Sequence, residues 1–199
     1  IVFGDWSSDV CSSDLDGHDI VTTIDINIQD VAEDALMRQL IENEADHGSV
    51  VLMEVATGNI LAIANLGKNS KGEYEEKYNY AIGESSEPGS TFKLASLIAA
   101  LDEGLLSLND TVDTEGGTAK FANRTMRDSH HGGYGRISVK RAFELSSNVG
   151  ISKVIHKAYK DKPQQFINKL YSMRLNLPLG IEIAGEGKPS IKNTEHNYW

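Results

Sequence analysis

The stretch Pro88-Gly89-Ser90-Thr91-Phe92-Lys93, followed by Leu94, Leu97, Ile98 and Leu101, constrains this chain more than any other. Pro88 and Gly89 form a turn that delivers the chain to a helix, and the 3/4 spacing of the apolar residues predicts that this helix buries one face. On a helix, positions i and i+3 lie on the same side, so the Lys93 amine can reach the Ser90 hydroxyl and take its proton. A serine in the first turn also sits among free backbone N–H groups at the positive end of the helix dipole. That setting favours an alkoxide and lowers the proton affinity of a neighbouring ammonium. The spacing therefore places a nucleophile and its base together, facing a cleft.

The bland alternative is a capping serine and a solvated lysine, which is what most Ser-x-x-Lys sequences are. Context argues against it. No other serine in the chain has a lysine three residues on. The whole stretch Glu87-Pro88-Gly89-Ser90-Thr91-Phe92-Lys93 resembles the active-site segment of the penicillin-binding transpeptidases, the serine enzymes that cross-link peptidoglycan. That family pairs the segment with a Ser-x-Asn triplet and a Lys-Thr-Gly strand.

The triplet is present as Ser146-Ser147-Asn148. It ends a helical pattern that begins near Ser138, with Val139, Ala142, Phe143 and Leu145 as its apolar positions, and a second pattern with Val149, Ile151, Val154 and Ile155 follows. The resemblance implies that Ser146 relays a proton between Lys93 and the leaving amine, and that Asn148 hydrogen-bonds Lys93 and the substrate amide. Two helix-capping side chains are the alternative reading. Another Ser-x-Asn, Ser107-Leu108-Asn109, lies in a polar connection and reads as a turn.

The third motif is missing, since neither Lys-Thr-Gly nor Lys-Ser-Gly occurs. In the family that strand binds the substrate carboxylate and supplies one oxyanion-hole N–H. The absence is read as truncation after Trp199 rather than as loss of function. Residues 1 to 15 are abnormal too: Ser-Ser-Asp-Val and Ser-Ser-Asp-Leu repeat within them without any apolar period, as in a translated sequencing adapter. They are set aside as a non-native tail, with a native tail as the alternative.

Setting the tail aside removes Asp5, Asp9 and Asp14, so 26 acidic residues remain of 29 against 19 basic ones, a net charge of −7 instead of −10. It also removes Cys11, leaving no disulfide framework and no thiol chemistry. The acidic balance argues against nucleic acid as a partner, for which a clustered basic face is expected. No apolar run approaches the ~20 residues of a membrane span. Residues 16 to 199 suffice for one domain with a sizeable core.

Along those residues, Thr22-Thr23-Ile24-Asp25 leads into a helix carrying Ile28, Val31, Ala32, Ala35, Leu36, Leu40 and Ile41, capped by Asp25 or Asn27. Residues 49–55, 56–59 and 60–64 read as a β-hairpin with its turn. This opening resembles the start of the transpeptidase domain, and Asn79-Tyr80-Ala81 stands where the family often has Asn-x-Ala. The resemblance covers residues 17 to 199. Residues 67 to 77 read as a surface loop, and glycine and polar residues dominate from 105 to 137. Asp128-Ser129-His130-His131 is discounted as a metal site because adjacent histidines point apart. Gly180 to Gly187 lacks the pattern of a phosphate loop.

The expected fold is α/β (α+β), an antiparallel sheet with packed helices of the penicillin-binding and β-lactamase-like type, its later strands absent. The resemblance implies a monofunctional, division- or elongation-type peptidoglycan D,D-transpeptidase. Its expected site residues are Ser90, Lys93, Ser146 and Asn148, it needs no cofactor or metal, and its expected partners are stem peptides, β-lactam antibiotics and divisome proteins. It implies an extracytoplasmic location with a membrane anchor upstream, and an inactive fragment. A serine β-lactamase using Glu182 or Glu186 as deacylating base, a β-lactam-sensing receptor domain and a non-catalytic divisome scaffold are the alternatives.

Overall fold

The computed structural model describes residues 19–194, which fall into two compact units divided between Ala81 and Ile82. The proposed adapter tail, with the expectation that Trp6 stays exposed, lies outside the described residues.

The first unit begins where the Asp25 carboxylate accepts the Asn27 and Ile28 N–H groups at 2.9 and 3.3 Å, starting helix α1 (Ile26–Glu42). Ala32, Leu36 and Leu40, four residues apart, form its buried stripe. Leu36 and Leu40 pack on Ala64 and Leu66 of the sheet. Strands β1 (His47–Met53) and β2 (Ile60–Lys68) form the expected antiparallel hairpin, with a register shift at Leu52/Met53 before the turn. Gln29 bonds both backbone groups of Ile63, at 2.8 and 3.0 Å, and so closes part of the β2 edge that β1 leaves open. Two expectations change here. Val31 and Ile41 are exposed, because the stripe that meets the sheet is narrower than the apolar pattern. Residues 67 to 77 are not simply a loop: β2 runs on to Lys68, and a two-residue strand β3 (Tyr74–Glu75) pairs with Gly67 and Lys68.

A one-turn helix, α2 (Tyr80–Gly83), carries the chain onward. In the second unit, a 3₁₀ turn (Gly89–Thr91) runs directly into α3 (Phe92–Asp102). The core gathers Leu97, Val112, Val139, Ala142 and Ile151. Leu94 and Ile98, expected to be buried, are 53% and 43% exposed. The face of α3 that packs is instead made of Ser96, Leu97, Ala99 and Ala100, whose small side chains let neighbouring helices approach closely. Phe143 is likewise exposed, while Val139 and Ala142 of α4 (Val139–Glu144) are buried. Helices α5 (Asn148–Tyr159) and α6 (Pro163–Ser172) complete the layer. The Glu103 carboxylate ties α5 and α6 to the end of α3, accepting from the Tyr159 hydroxyl at 2.9 Å and Gln165 at 3.1 Å. Burial, with that carboxylate beside it, pushes the Tyr159 phenol above its ordinary range.

Residues 105 to 137, read as polar connection, hold most of four short strands. β4 (Thr111–Asp113) pairs with β7 (Arg136–Ser138), and β5 (Thr118–Phe121) pairs with β6 (Arg124–Arg127). Each of the first pair offers one apolar residue, Val112 or Ile137, between polar ones, too short an alternation to stand out. Beyond these pairs Gly117 and Gly133 cross closely, both with positive φ, and a Cβ on Gly133 would lie 2.3 Å from the Gly117 nitrogen. Gly133→Ala is expected to cost at least about 1–3 kcal/mol, since it combines a left-handed backbone with a backbone clash. A urea unfolding midpoint equal to wild type would show that this crossing is not tight.

Candidate active site

Pro88 is helical in φ and ψ, and Gly89 takes φ +57°, a conformation open to glycine but disfavoured with a Cβ. Together they turn the chain into the 3₁₀ segment that carries Ser90. The Thr91 hydroxyl reinforces the turn by donating to the Pro88 carbonyl at 2.5 Å. Ser90 therefore stands just before α3 rather than within its first turn. No side chain caps either the 3₁₀ turn or α3, so the capping role of Ser90 is not formed. Its Oγ instead lies 3.2 Å from Lys93 Nζ.

Lys93 also reaches across 53 positions of sequence to Ser146, donating to its carbonyl at 2.6 Å and its hydroxyl at 2.9 Å. Three oxygens thus face the Lys93 amine: an ammonium would donate to all three, whereas a neutral amine would donate to the two of Ser146 and keep its lone pair for the proton of Ser90. Burial lowers the Lys93 proton affinity below its ordinary value of 10.5, while the negative charge of Asp128 opposes the shift.

Ser146 occupies the connection between α4 and α5, as the resemblance implies, with φ +51°, unusual for a residue with a side chain. Its N–H bonds Phe143 O at 2.9 Å and that of Ser147 bonds Ala142 O at 2.8 Å, closing the end of α4. Ser147, 1% exposed, caps α5 by accepting from the Gly150 N–H at 2.8 Å. Asn148 departs from expectation. Its side-chain nitrogen donates to the Arg127 carbonyl at 2.8 Å, and Lys93 bonds Ser90 and Ser146 but not Asn148. The Arg127 carbonyl thus takes the amide nitrogen, which fixes the side chain against the end of β6.

The residue that sequence reasoning missed is Asp128. Its carboxylate accepts from Ser147 Oγ at 3.0 and 3.1 Å and from the Val149 N–H at 2.9 Å. In the sequence it stands out only as a neighbour of two histidines. The fold alone brings the end of β6 to the start of α5. His130 stacks on Tyr134 with ring centroids 5.2 Å apart, and among the described residues no three His, Cys, Asp or Glu side chains could hold a metal ion together. Ser107 forms the expected turn, its Oγ accepting from Asn109 N–H at 3.3 Å.

Ser90, Lys93 and Asn148 open onto a cavity of about 1000 Å³ that continues along α5 past Met126, Ile151 and Tyr159. Glu182 and Glu186 do not line it, and the Glu186 carboxylate is engaged by the Leu179 and Gly180 N–H groups. Neither carboxylate is placed to activate water at Ser90.

The penicillin binding protein transpeptidase domain matches residues 48–195. The chain belongs to this family. It is 31% identical over 175 residues to the probable peptidoglycan D,D-transpeptidase PenA of Neisseria gonorrhoeae, covering 85% of this chain and 29% of that protein. It is 30% identical over 158 residues to the peptidoglycan D,D-transpeptidase FtsI of Escherichia coli K12, covering 76% of this chain and 26% of that one. A peptidoglycan glycosyltransferase from Burkholderia ambifaria superposes with a TM-score of 0.72 at 25% identity, over 86% of this chain and 50% of that structure. The transpeptidase domain of Burkholderia pseudomallei penicillin-binding protein 3 gives a TM-score of 0.71 at 24% identity, over 83% and 46% respectively, which supports the expected fold. The chain thus spans under a third of the length of these curated relatives.

Proposed function

We propose that the whole protein carrying this segment is a peptidoglycan D,D-transpeptidase that works through a serine acyl-enzyme, with Ser90 as nucleophile. The observation that carries this reading is Lys93 Nζ lying 3.2 Å from Ser90 Oγ while its other contacts, at 2.6 and 2.9 Å, go to Ser146. Neutral Lys93 takes the Ser90 proton as Oγ attacks the penultimate D-Ala carbonyl of a stem peptide. The C–N bond to the terminal D-Ala breaks, and the leaving nitrogen receives a proton from the Lys93 ammonium through the Ser146 hydroxyl. An amine of a neighbouring stem then attacks the ester, restoring Ser90 and forming the cross-link. Asn148, at the cavity wall, is assigned to the substrate amide through whichever of its groups Arg127 leaves free.

A β-lactam carries a strained amide that enters the same first step, and neither Glu182 nor Glu186, the carboxylates weighed as deacylating bases, lines the cavity beside Ser90. The engagement of Glu186 and the names of the relatives both weigh against the β-lactamase alternative. Action on peptidoglycan implies an extracytoplasmic site of work, and divisome proteins are the partners expected of a division-type member. No helix among the described residues is long and apolar enough to cross a membrane.

Intact-mass measurement of the whole protein after incubation with labelled penicillin tests the reading. One adduct per chain is expected, mapping to the peptide that contains Ser90. No adduct, or one that maps elsewhere, would remove the assignment.

A further inference from the structure

We propose that Asp128 is a positioning residue of this site, its carboxylate locking the Ser146–Asn148 connection in the arrangement that turns both oxygens of Ser146 toward Lys93. The inference rests on the reading of Ser90 and Lys93 as the acylation pair. A left-handed backbone at a residue with a side chain costs on the order of 1–3 kcal/mol and persists only where its surroundings over-determine it. Ser146 is such a residue, and the bonds that close α4 fix its near side. The far side is fixed by Asp128, which takes the Ser147 hydroxyl and the Val149 N–H together.

The carboxylate is itself held in place. The Asp128 N–H donates to Gly117 O at 2.9 Å, and the preceding carbonyl, Arg127 O, receives Asn148 Nδ2. All three residues of the triplet are therefore tied: Ser147 and Asn148 to positions 128 and 127, and Ser146 to Lys93. Bonds to a carboxylate, here from the hydroxyl of an almost wholly buried residue, are stronger than those between neutral groups.

The same carboxylate has a second, opposing effect. Its negative charge favours the Lys93 ammonium, the form that cannot act as base, while burial favours the neutral amine. Glu87 lines the cavity from the segment before α3, and His156, Tyr159 and Lys160 line it from α5. Asp128 is the group whose charge acts on Lys93. Positioning and charge can be separated by substitution. Asp128→Asn keeps an oxygen that accepts from Val149 N–H and Ser147 Oγ but carries no charge, whereas Asp128→Ala removes both.

The experiment is the pH dependence of acylation of the whole protein by labelled benzylpenicillin. Asp128→Asn is expected to keep the high-pH plateau within a few-fold of wild type and to move the rising limb to lower pH. Asp128→Ala is expected to lower the plateau by about 10²-fold, the cost of misplacing a reacting group by roughly 1 Å. A purely structural carboxylate would leave the limb of the Asn variant where it was, and that result overturns the charge effect. A wild-type plateau in the Ala variant overturns the positioning role. If Asp128→Ala does not fold, Ser147→Ala, which keeps the Val149 bond, replaces it and is expected to lower the plateau by a smaller factor; an unchanged plateau there also counts against the proposal. Wild-type protein that takes no label at any pH removes the transpeptidase reading itself, a failure distinct from either variant's.

Discussion

Lys93→Ala in the whole protein lowers the rate at which penicillin acylates Ser90 by about 10²–10⁴, the range attributed to a positioned general base. Lys93→Arg is expected to lose as much, because a guanidinium stays protonated and cannot take the serine proton. The pH profile follows from the direction of the Lys93 shift. Its ionisation lies below 10.5, chiefly through burial, so acylation should rise with pH and level off below that value. The linkage has the same sign. The folded state disfavours the ammonium, so stability rises with pH between the folded value and 10.5, and below the folded value the penalty is constant. Lys93 is therefore costly to the fold at neutral pH, as functional residues often are. Acylation rates read by intact mass at several pH values decide the matter. A Lys93→Ala rate within a few-fold of wild type would mean that the base is elsewhere.

The proximity of Ser90 and Lys93 was legible because a separation of three positions in a helical turn already fixes their distance, whatever the rest of the chain does. Ser146 was legible only through the resemblance, since nothing local says that a residue 53 positions away meets Lys93. Asp128 was not legible at all. Its role depends on β6 ending beside the start of α5, and β6 is a four-residue strand of Arg, Thr, Met and Arg with every residue exposed, so it leaves no apolar period to detect. The Asn148 contact was hidden for a related reason: its side-chain nitrogen meets a backbone carbonyl whose position the sequence does not reveal. In the first unit, α1 was readable from its cap and apolar spacing, and the hairpin from two apolar runs around turn residues. The exposed Val31 and Ile41, like Leu94 and Ile98 in the second unit, show the limit of periodicity. It finds the apolar face of a helix but not how much of that face is covered.

That uncovered surface bears on the 199 residues produced alone, which are expected to acylate at least about 10² more slowly than the whole protein. The first reason is chemical. The sequence contains no Lys-Thr-Gly or Lys-Ser-Gly, and the resemblance assigns to that strand one N–H of the oxyanion hole and the wall that binds the substrate carboxylate. Removing one such donor costs an acyl-transfer enzyme about 10²–10³ in rate, because the developing oxyanion must then be solvated by groups that are not preorganised. The second reason is physical. β1 is the outer strand of its sheet and carries Val51, Leu52 and Met53 at 44–53% exposure, and Leu94 and Ile98 line the bare side of α3. An apolar edge strand and an apolar helix face are both surfaces on which chains associate. The comparison sets residues 16–199 beside the whole protein, with acylation followed by mass and association by light scattering. The short chain should be slow and should scatter more as its concentration rises. If it instead acylates at the rate of the whole protein, the oxyanion donors lie within residues 16–199, and the absence of the third motif carries no weight.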